Sequence, residues 1–376
     1  MRRLRLGSVF GIPIQLDISF LLVLPIFAYV IGSQVALTAT FLNDIWNAGI
    51  ATGELTGGAM PWILGTVAAI GLFAGVVLHE LGHSVVALRF GFAIDSITLW
   101  ILGGIASFSE LPENWRQELL IAIAGPTTSV LVGAVCFLGF VVLPESFAIG
   151  RFVFGYLSIL NVGLAAFNLL PGFPMDGGRV LRALLARTRP YPQATQIAAS
   201  VGKGFAVLLG LVGILWFNIF LIAIAFFVYI GASSEVRQEL VKSAFEGIKV
   251  AQIMTPVTDL DVVSPTLTVA ELLERMFRQR HVGYPVLQEG EVVGVVTLDD
   301  VSPVPEVERE AVHIADVMET DLKTISEGAD VTDALLEIQR SQIGRLLVVN
   351  DRDEFVGLLT RTDLIRAFTI ISQVNT

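Results

Sequence analysis

Nearly all the long apolar runs of this chain precede residue 233, and most of its acidic residues follow it. That asymmetry limits the fold more than any other feature. In a bilayer core every backbone polar group must be satisfied internally, so runs of this length and composition call for spanning helices. The runs read as about six spans, near 18–37, 61–89, 118–143, 152–170, 197–215 and 217–232. Of all residues 54% are hydrophobic and only 16% are charged, a bias unusual for a soluble chain. The formal net charge of -11 therefore belongs largely to a soluble C-terminal part, and it points away from nucleic-acid binding. Cys136, the one cysteine, lies inside an apolar run; it excludes an intramolecular disulfide and reads as a packing residue.

Near the end of the second run stands Leu78-His79-Glu80-Leu81-Gly82-His83-Ser84. His79 and His83 are four apart, so on a helix they share one face and can grip one tetrahedral zinc. Glu80 then stands where a general base for the attacking water is needed. A chance pair of core histidines fits less well, because the whole chain has only four histidines and ionisable groups at membrane depth are costly. Gly82 lowers helix propensity by about 1 kcal/mol, which suits either close backbone approach or an ordinary transmembrane glycine.

Taken in order, Met1-Arg-Arg-Leu-Arg is basic, but no compact apolar core with a small-residue cleavage site follows at signal-peptide spacing. Leu4 to Ile18 alternates loosely around Gly7, Gly11 and Pro13, as a hairpin at the membrane surface would. Asp17 or Ser19 is expected to cap the first span. After Gly91 the period becomes that of strands, with Ile94, Ile97, Leu99 and Ile101, then Gly103 to Phe108. This predicts a re-entrant or interfacial hairpin at the depth of the histidines, covered by protein or lining a wet cavity. Six spans put both termini on one side. Arg2, Arg3, Arg5, Arg89, Arg116, Arg179, Arg182, Arg187, Arg189 and Arg237 all fall on that side, with Arg151 the exception. The positive-inside rule makes it the cytoplasm.

Two histidines leave a catalytic zinc one protein ligand short. In Asn168-Leu-Leu-Pro171-Gly-Phe-Pro174-Met-Asp176-Gly-Gly-Arg179, the prolines and Gly172 break the fourth span and set Asp176 at the break. A carboxylate there completes a His-His-carboxylate set with one open position; the plainer alternative is a helix-capping Asp.

His79-Glu-Leu-Gly-His83 together with Asn168-Leu-Leu-Pro171 and Asp176-Gly-Gly resembles the site-2 protease family of intramembrane zinc metalloproteases. Gly103-Gly104-Ile105 and Ala124-Gly125-Pro126 also look like that family's pattern, and the resemblance covers roughly residues 1 to 232. It implies a metalloendopeptidase with zinc at His79, His83 and Asp176, Glu80 as catalytic base, and Asn168 helping to hold the substrate carbonyl. Gly103, Gly104 and Ile105 would form the strand that receives substrate. Ser129 stands where many members have an asparagine, so no role is assigned to it. A spanning helix shields its own peptide bonds, so a substrate must unwind before attack, and an edge strand at Gly103 to Phe108 could pair with the unwound segment.

The C-terminal part is an internal duplication. Val250-Ala-Gln-Ile-Met254 matches Ile314-Ala-Asp-Val-Met318, and Asp259-Leu-Asp-Val-Val-Ser264 matches Asp321-Leu-Lys-Thr-Ile-Ser326. With one extra residue near Arg352, Gly294-Val-Val-Thr297-Leu-Asp-Asp300 matches Gly357-Leu-Leu-Thr360-Arg-Thr-Asp363. Each half reads as a helix, two strands and a helix. The duplication resembles a tandem CBS-domain pair, a module whose cleft commonly binds adenine nucleotides. That resemblance implies ATP or AMP as a regulatory ligand, with Thr297 and Asp300, or Thr360 and Asp363, on phosphate and ribose. It equally allows a dimerisation module without ligand.

The expected organisation is thus a transmembrane zinc metalloprotease domain over 1–232 and a charged linker over 233–249. CBS repeats follow over 250–303 and 312–372. The fold class is a polytopic α-helical membrane protein with a small interfacial β-sheet, plus a soluble α/β CBS pair. The termini, the opening of the zinc site and the CBS pair are expected on the cytoplasmic face of the cell membrane. The substrate would be a single-pass transmembrane protein, such as a membrane-held regulator, and the CBS pair could form a homodimer. A CBS-gated transporter and an inactive membrane scaffold stay open as alternatives. The first would carry paired charges along a route, and the second would not need an intact His79, Glu80, His83 and Asp176.

Overall fold

The computed structural model describes residues 3–100, 103–108, 114–341 and 343–374. Arg2 and Ile101, named above, lie outside the described residues, as does the side chain of Ile105. The chain forms two compact units, Met1–Arg237 and Gln238–Thr376.

The first unit is built on α-helices: α1 (Phe20–Ser33), α2 (Val35–Trp46), α3 (Thr52–Thr56), α4 (Met60–Arg89), α5 (Trp115–Val142), α6 (Ala148–Asn168), α7 (Asp176–Ala186), α8 (Tyr191–Leu215) and α9 (Ile219–Phe245). Five of them, α4, α5, α6, α8 and α9, are long and apolar enough to cross a membrane. α5 packs against α4, α6 and α7, and so sits at the centre of the site described below. α9 runs on to Phe245, through most of the stretch expected as a linker.

The first expected span is not one straight helix. It breaks at Gln34, whose amide bonds the Ile31 carbonyl at 3.0 Å, and α2 leaves α1 at 60°. The pattern of α2 gives the reason. Its buried residues Val35, Ala39 and Leu42 are spaced three and four apart and pack with Ile50, Leu55, Leu64 and Phe152. That stripe packs α2 against the bundle, and the bent pair α1–α2 is together long and apolar enough to form a sixth, broken span. The Asn43 amide fixes the following turn, donating to the Ile50 carbonyl at 3.0 Å and accepting from the Ile50 amide at 2.8 Å. The expected side-chain cap of α1 is also different: Asp17 Oδ1 accepts from the Ser19 amide at 2.9 Å, while Ser19 makes no capping bond.

Arg151, the exception to the charge pattern, is buried. It donates to the Leu143 carbonyl at 2.8 Å and lies 4.6 Å over the Phe140 ring. Its charge therefore satisfies the carbonyl end of α5, where the helix dipole favours a cation.

The two expected hairpins join in one sheet of β1 (Arg3–Val9), β2 (Ile12–Asp17), β3 (Ile94–Trp100) and β4 (Gly103–Phe108), in that order. β2 and β3 are parallel, with Ile14 opposite Ile97 and Leu16 opposite Leu99. They meet because both have an apolar face to bury against α4: Ile12 and Ile97 pack with Leu81, and Leu99 packs with Phe73 and Phe20. Among the described residues β4 is a sheet edge, paired to β3 through Leu99–Gly104 and Trp100–Gly103.

The second unit repeats itself as the duplication requires. Its first half carries β5 (Thr255–Pro256), α10 (Val269–Gln279), β6 (Gly283–Gln288), β7 (Glu291–Thr297) and α11 (Leu298–Val301). Its second half carries α12 (Ile314–Val317), β8 (Thr324–Ser326), α13 (Val331–Arg340), β9 (Arg345–Val349), β10 (Phe355–Thr360) and α14 (Arg361–Val374). The halves exchange edges, since β5 pairs with β10 while Glu319 bridges to Val295 in β7. Each half keeps its own core, around Leu272, Tyr284 and Val296 in the first and Ile338, Leu346 and Leu359 in the second.

Candidate metal centre

α4 presents His79 and His83 one turn apart, and the break after α6 brings the start of α7 up to them. His79 Nε2 lies 3.0 Å and His83 Nε2 3.1 Å from Asp176 Oδ2, and the two Nε2 atoms are 3.2 Å apart. The three residues form a group that could hold one metal ion. Ligands about 2.0–2.1 Å from a tetrahedral zinc lie roughly 3.3 Å from one another, so the observed triangle has the size that zinc needs.

The hydrogen-bond chemistry makes the same point. His83 Nδ1 is 2.7 Å from the Ile121 carbonyl, which can only accept, so Nδ1 carries the proton. A neutral His83 then turns a lone pair at Nε2 towards Asp176. His79 Nδ1 is 2.8 Å from the Ser129 hydroxyl, which can accept its proton in the same way. Lone pairs on three atoms within 3.2 Å of one another repel unless a metal cation or a shared proton lies between them, and a metal ion suits all three at once. The donor set fits zinc.

The site depends on how closely α5 approaches α4. A Cβ on Gly125 would overlap the His83 imidazole and come within 2.7 Å of His79 Nε2; one on Gly82 would overlap Thr128 and come within 2.8 Å of the Ala124 carbonyl. Gly82 therefore serves the close approach and is not a neutral choice. The Asp176-Gly177 step works alike on the other side, because a Cβ on Gly177 would overlap the Leu170 and Leu169 carbonyls of the turn.

Glu80 is half-buried on α4, beside the histidines, with its stem against β4. A Cβ on Gly104 would come 2.7 Å from Glu80 Cγ and 3.2 Å from Val76 Cγ1. Gly104 thus faces the candidate base, whereas Gly103, at φ +130°, has open space around it. Ile105 stands opposite Thr98 in the sheet register. Asn168 closes α6, and its amide donates to the Leu164 carbonyl at 3.0 Å, so it is near in sequence to the Asp176 turn but not bonded to the three-residue group.

Sequence reasoning missed two features. Ser129, to which no role was assigned, is fully buried and holds His79. Its signal was its place one turn beyond Gly125 on the face of α5 that meets α4. Glu118, Arg182 and Tyr191 form a buried polar cluster: Arg182 Nε donates to Glu118 Oε1 at 2.7 Å and the Tyr191 hydroxyl to Glu118 Oε2 at 2.5 Å. Arg182 also lies 3.9 Å from Glu235 on α9. Arg182 and Asp176 share α7, so this cluster ties the helix bearing the carboxylate to α5 and α8. In the sequence Arg182 stands out only as one of four arginines that follow the fourth span.

In the second unit Thr297 and Asp300 line a cleft of about 590 Å³ between the halves; Arg345 also lines it. Burial holds the Arg345 guanidinium below the usual arginine value, and neighbouring Asp300 opposes that shift.

Residues 67–154 and 147–211 match the model of peptidase family M50, and residues 250–303 and 314–370 match that of the CBS domain. The chain is 35% identical over 373 residues to "Zinc metalloprotease MJ0392" of Methanocaldococcus jannaschii, covering 98% of this chain and 96% of that protein. It is 31% identical over 379 residues to "Putative zinc metalloprotease sll0528" of Synechocystis sp., covering 96% and 94%. Among solved structures, "Site-2 Protease from Methanocaldococcus jannaschii" is 37% identical, covers 63% of this chain and 96% of that one, and has a TM-score of 0.44.

Proposed function

Because the chain belongs to peptidase family M50, the site-2 protease family of zinc metalloproteases, and carries a CBS pair, we propose that it cleaves transmembrane segments of membrane-bound regulatory proteins. The observation that carries this reading is the triangle of His79, His83 and Asp176 beside Glu80, next to the open edge of β4.

When bound, zinc supplies Lewis-acid polarisation of the scissile carbonyl and favours ionisation of the attacking water. The rest falls to the chain's own residues. An unwound segment of substrate pairs with β4, which replaces the hydrogen bonds that its helix gave up. Glu80 takes the proton of the attacking water and passes it to the leaving amine. Asn168, once its amide turns from the Leu164 carbonyl, donates to the substrate carbonyl oxygen. His79 and His83 keep their Nε2 lone pairs for the metal because the Ser129 hydroxyl and the Ile121 carbonyl accept hydrogen bonds from their Nδ1–H groups.

The arginine distribution supports a cytoplasmic side for the ends of the chain and the opening of the site. The CBS pair takes an adenine nucleotide at Thr297 and Asp300 or at Thr360 and Asp363 and biases access to the protease site, and it also forms a homodimer contact. A coupling in the usual allosteric range, about 1–3 kcal/mol, would change the access equilibrium roughly 5- to 150-fold.

The test is Glu80→Gln, purified in detergent or lipid and assayed on a model spanning peptide. It should retain zinc and lose cleavage, because an amide cannot accept the water's proton. Cleavage at the wild-type rate would remove Glu80 from the reaction. Membrane proteomes compared with and without this substitution would identify substrates as the proteins that accumulate uncut.

A further inference from the structure

α5 and α7 pack against each other and carry two parts of the metal centre, Ser129 and Asp176. One end of their contact gathers positive charge. Arg116, in the first turn of α5, and Arg187, the C-cap residue of α7, both come to the indole of Trp115. Their guanidinium carbons lie 5.2 and 5.8 Å from the centre of its ring. Among the described residues neither has a carboxylate partner, in contrast to Arg182 on the same α7, which meets Glu118 and Glu235. Two guanidinium groups drawn to one ring repel each other, and the π face of an exposed indole offsets only part of that. An anion beside them turns the repulsion into attraction, and the planar fork of arginine suits a phosphate above other anions.

The surface next to the two arginines says which kind of phosphate. Arg116, Leu120 and Ile123 are spaced four and three apart, so they form one stripe along α5, and all three are exposed. Leu184, one turn before Arg187, is exposed on α7. α5 is long and apolar enough to cross a membrane, so the stripe meets acyl chains. A free phosphate would use the arginines alone. A phospholipid uses them for its headgroup and the stripe for its chains, with Trp115 at the boundary level where indoles gather. Two cations favour a headgroup of net negative charge over a zwitterionic one.

We infer that Trp115, Arg116 and Arg187 bind one anionic phospholipid, which ties the first turn of α5 to the end of α7. Basic pockets between membrane helices hold anionic headgroups in this way. The tie bears on the metal centre through the order of contacts along the two helices. Beside the arginines Glu118 of α5 meets Arg182 of α7, and further along come Ser129 and Asp176. A lipid that binds the packed arrangement of α5 and α7 favours, by linkage, the arrangement that holds metal. The assignment is independent of which proteins are cleaved.

The experiment is native mass spectrometry of the delipidated full chain in detergent, titrated with dioleoyl-phosphatidylglycerol, with dioleoyl-phosphatidylcholine or with inorganic phosphate. One phosphatidylglycerol per chain should bind roughly tenfold tighter than phosphatidylcholine, or better, and inorganic phosphate at the same concentration should not displace it. Arg116→Gln and Arg187→Gln should each weaken it about fivefold. Arg89→Gln, at an exposed arginine outside the cluster, should leave it nearly unchanged. Phosphatidylglycerol should also tighten zinc binding by the wild type severalfold in chelator competition, and should not do so in the Arg116→Gln/Arg187→Gln double variant. Equal binding of the two lipids, or an equal loss from Arg89→Gln, would overturn the site. Displacement by inorganic phosphate would reduce it to a bare anion site and overturn the lipid assignment. Lipid bound with zinc affinity unchanged would overturn the tie to the metal centre.

Discussion

Replacing Ser129 by alanine tests whether the histidines are held as zinc ligands. Ser129 is fully buried on α5, and its hydroxyl lies 2.8 Å from His79 Nδ1. Without it the Nδ1 proton has no acceptor at this site, and water cannot readily replace the lost oxygen. The imidazole can then turn, or carry its proton on Nε2, the atom that must keep a lone pair for the metal. Losing such an outer partner typically costs 10- to 100-fold in metal affinity. At 1.4 kcal/mol per tenfold, that is about 1.4–2.8 kcal/mol of binding. Competition for zinc with a chromophoric chelator, in detergent, measures it directly, and cobalt substitution reports ligand geometry through its visible spectrum. Ser129→Asn restores an acceptor oxygen and should recover most of the affinity. If Ser129→Ala held zinc within twofold of wild type with an unchanged cobalt spectrum, the argument from tautomer and lone pair would be wrong.

Gly104→Val should retain zinc and lower the maximal cleavage rate on the order of 100-fold, since the new side chain displaces Glu80 and an error of about 1 Å in a catalytic group has that cost. A rise in KM with an unchanged maximal rate would instead put the effect on substrate pairing with β4. Arg182→Met should destabilise the membrane unit by about 3–5 kcal/mol, because it leaves the buried Glu118 carboxylate without its direct ion-pair partner. Adding Glu118→Leu should recover most of that loss in thermal unfolding in detergent, and no recovery would mean that the pair is not what holds α7.

The parts of the molecule legible in the sequence are those set by period and by local chemistry. Spans α4, α5, α6, α8 and α9 followed from apolar length, and the repeated helix–strand–strand–helix order of the second unit followed from its duplication. What escaped depends on which surfaces meet. The hydropathy of residues 18–37 cannot distinguish a spanning helix from two shorter ones, because the break at Gln34 is fixed by the packing of Val35, Ala39 and Leu42 against α4 and α6. The union of two hairpins in one sheet needs a shared apolar partner, and that partner, Leu81 and Phe73 on α4, lies far from both in sequence. The site shows the same division. His79, Glu80 and His83 are one helical turn, so spacing alone groups them. Asp176 joined them because a catalytic zinc needs a third ligand and the helix break sets a carboxylate there. Ser129 could not be assigned without knowing that Gly125 lets α5 approach α4 within reach of an imidazole. The glycines are thus as much a part of the site as the ligands: each removes a side chain where two helices must close around three atoms 3.0–3.2 Å apart. The sequence pattern groups the candidate site residues, while the residues that make room for them become intelligible only once the helices are in place.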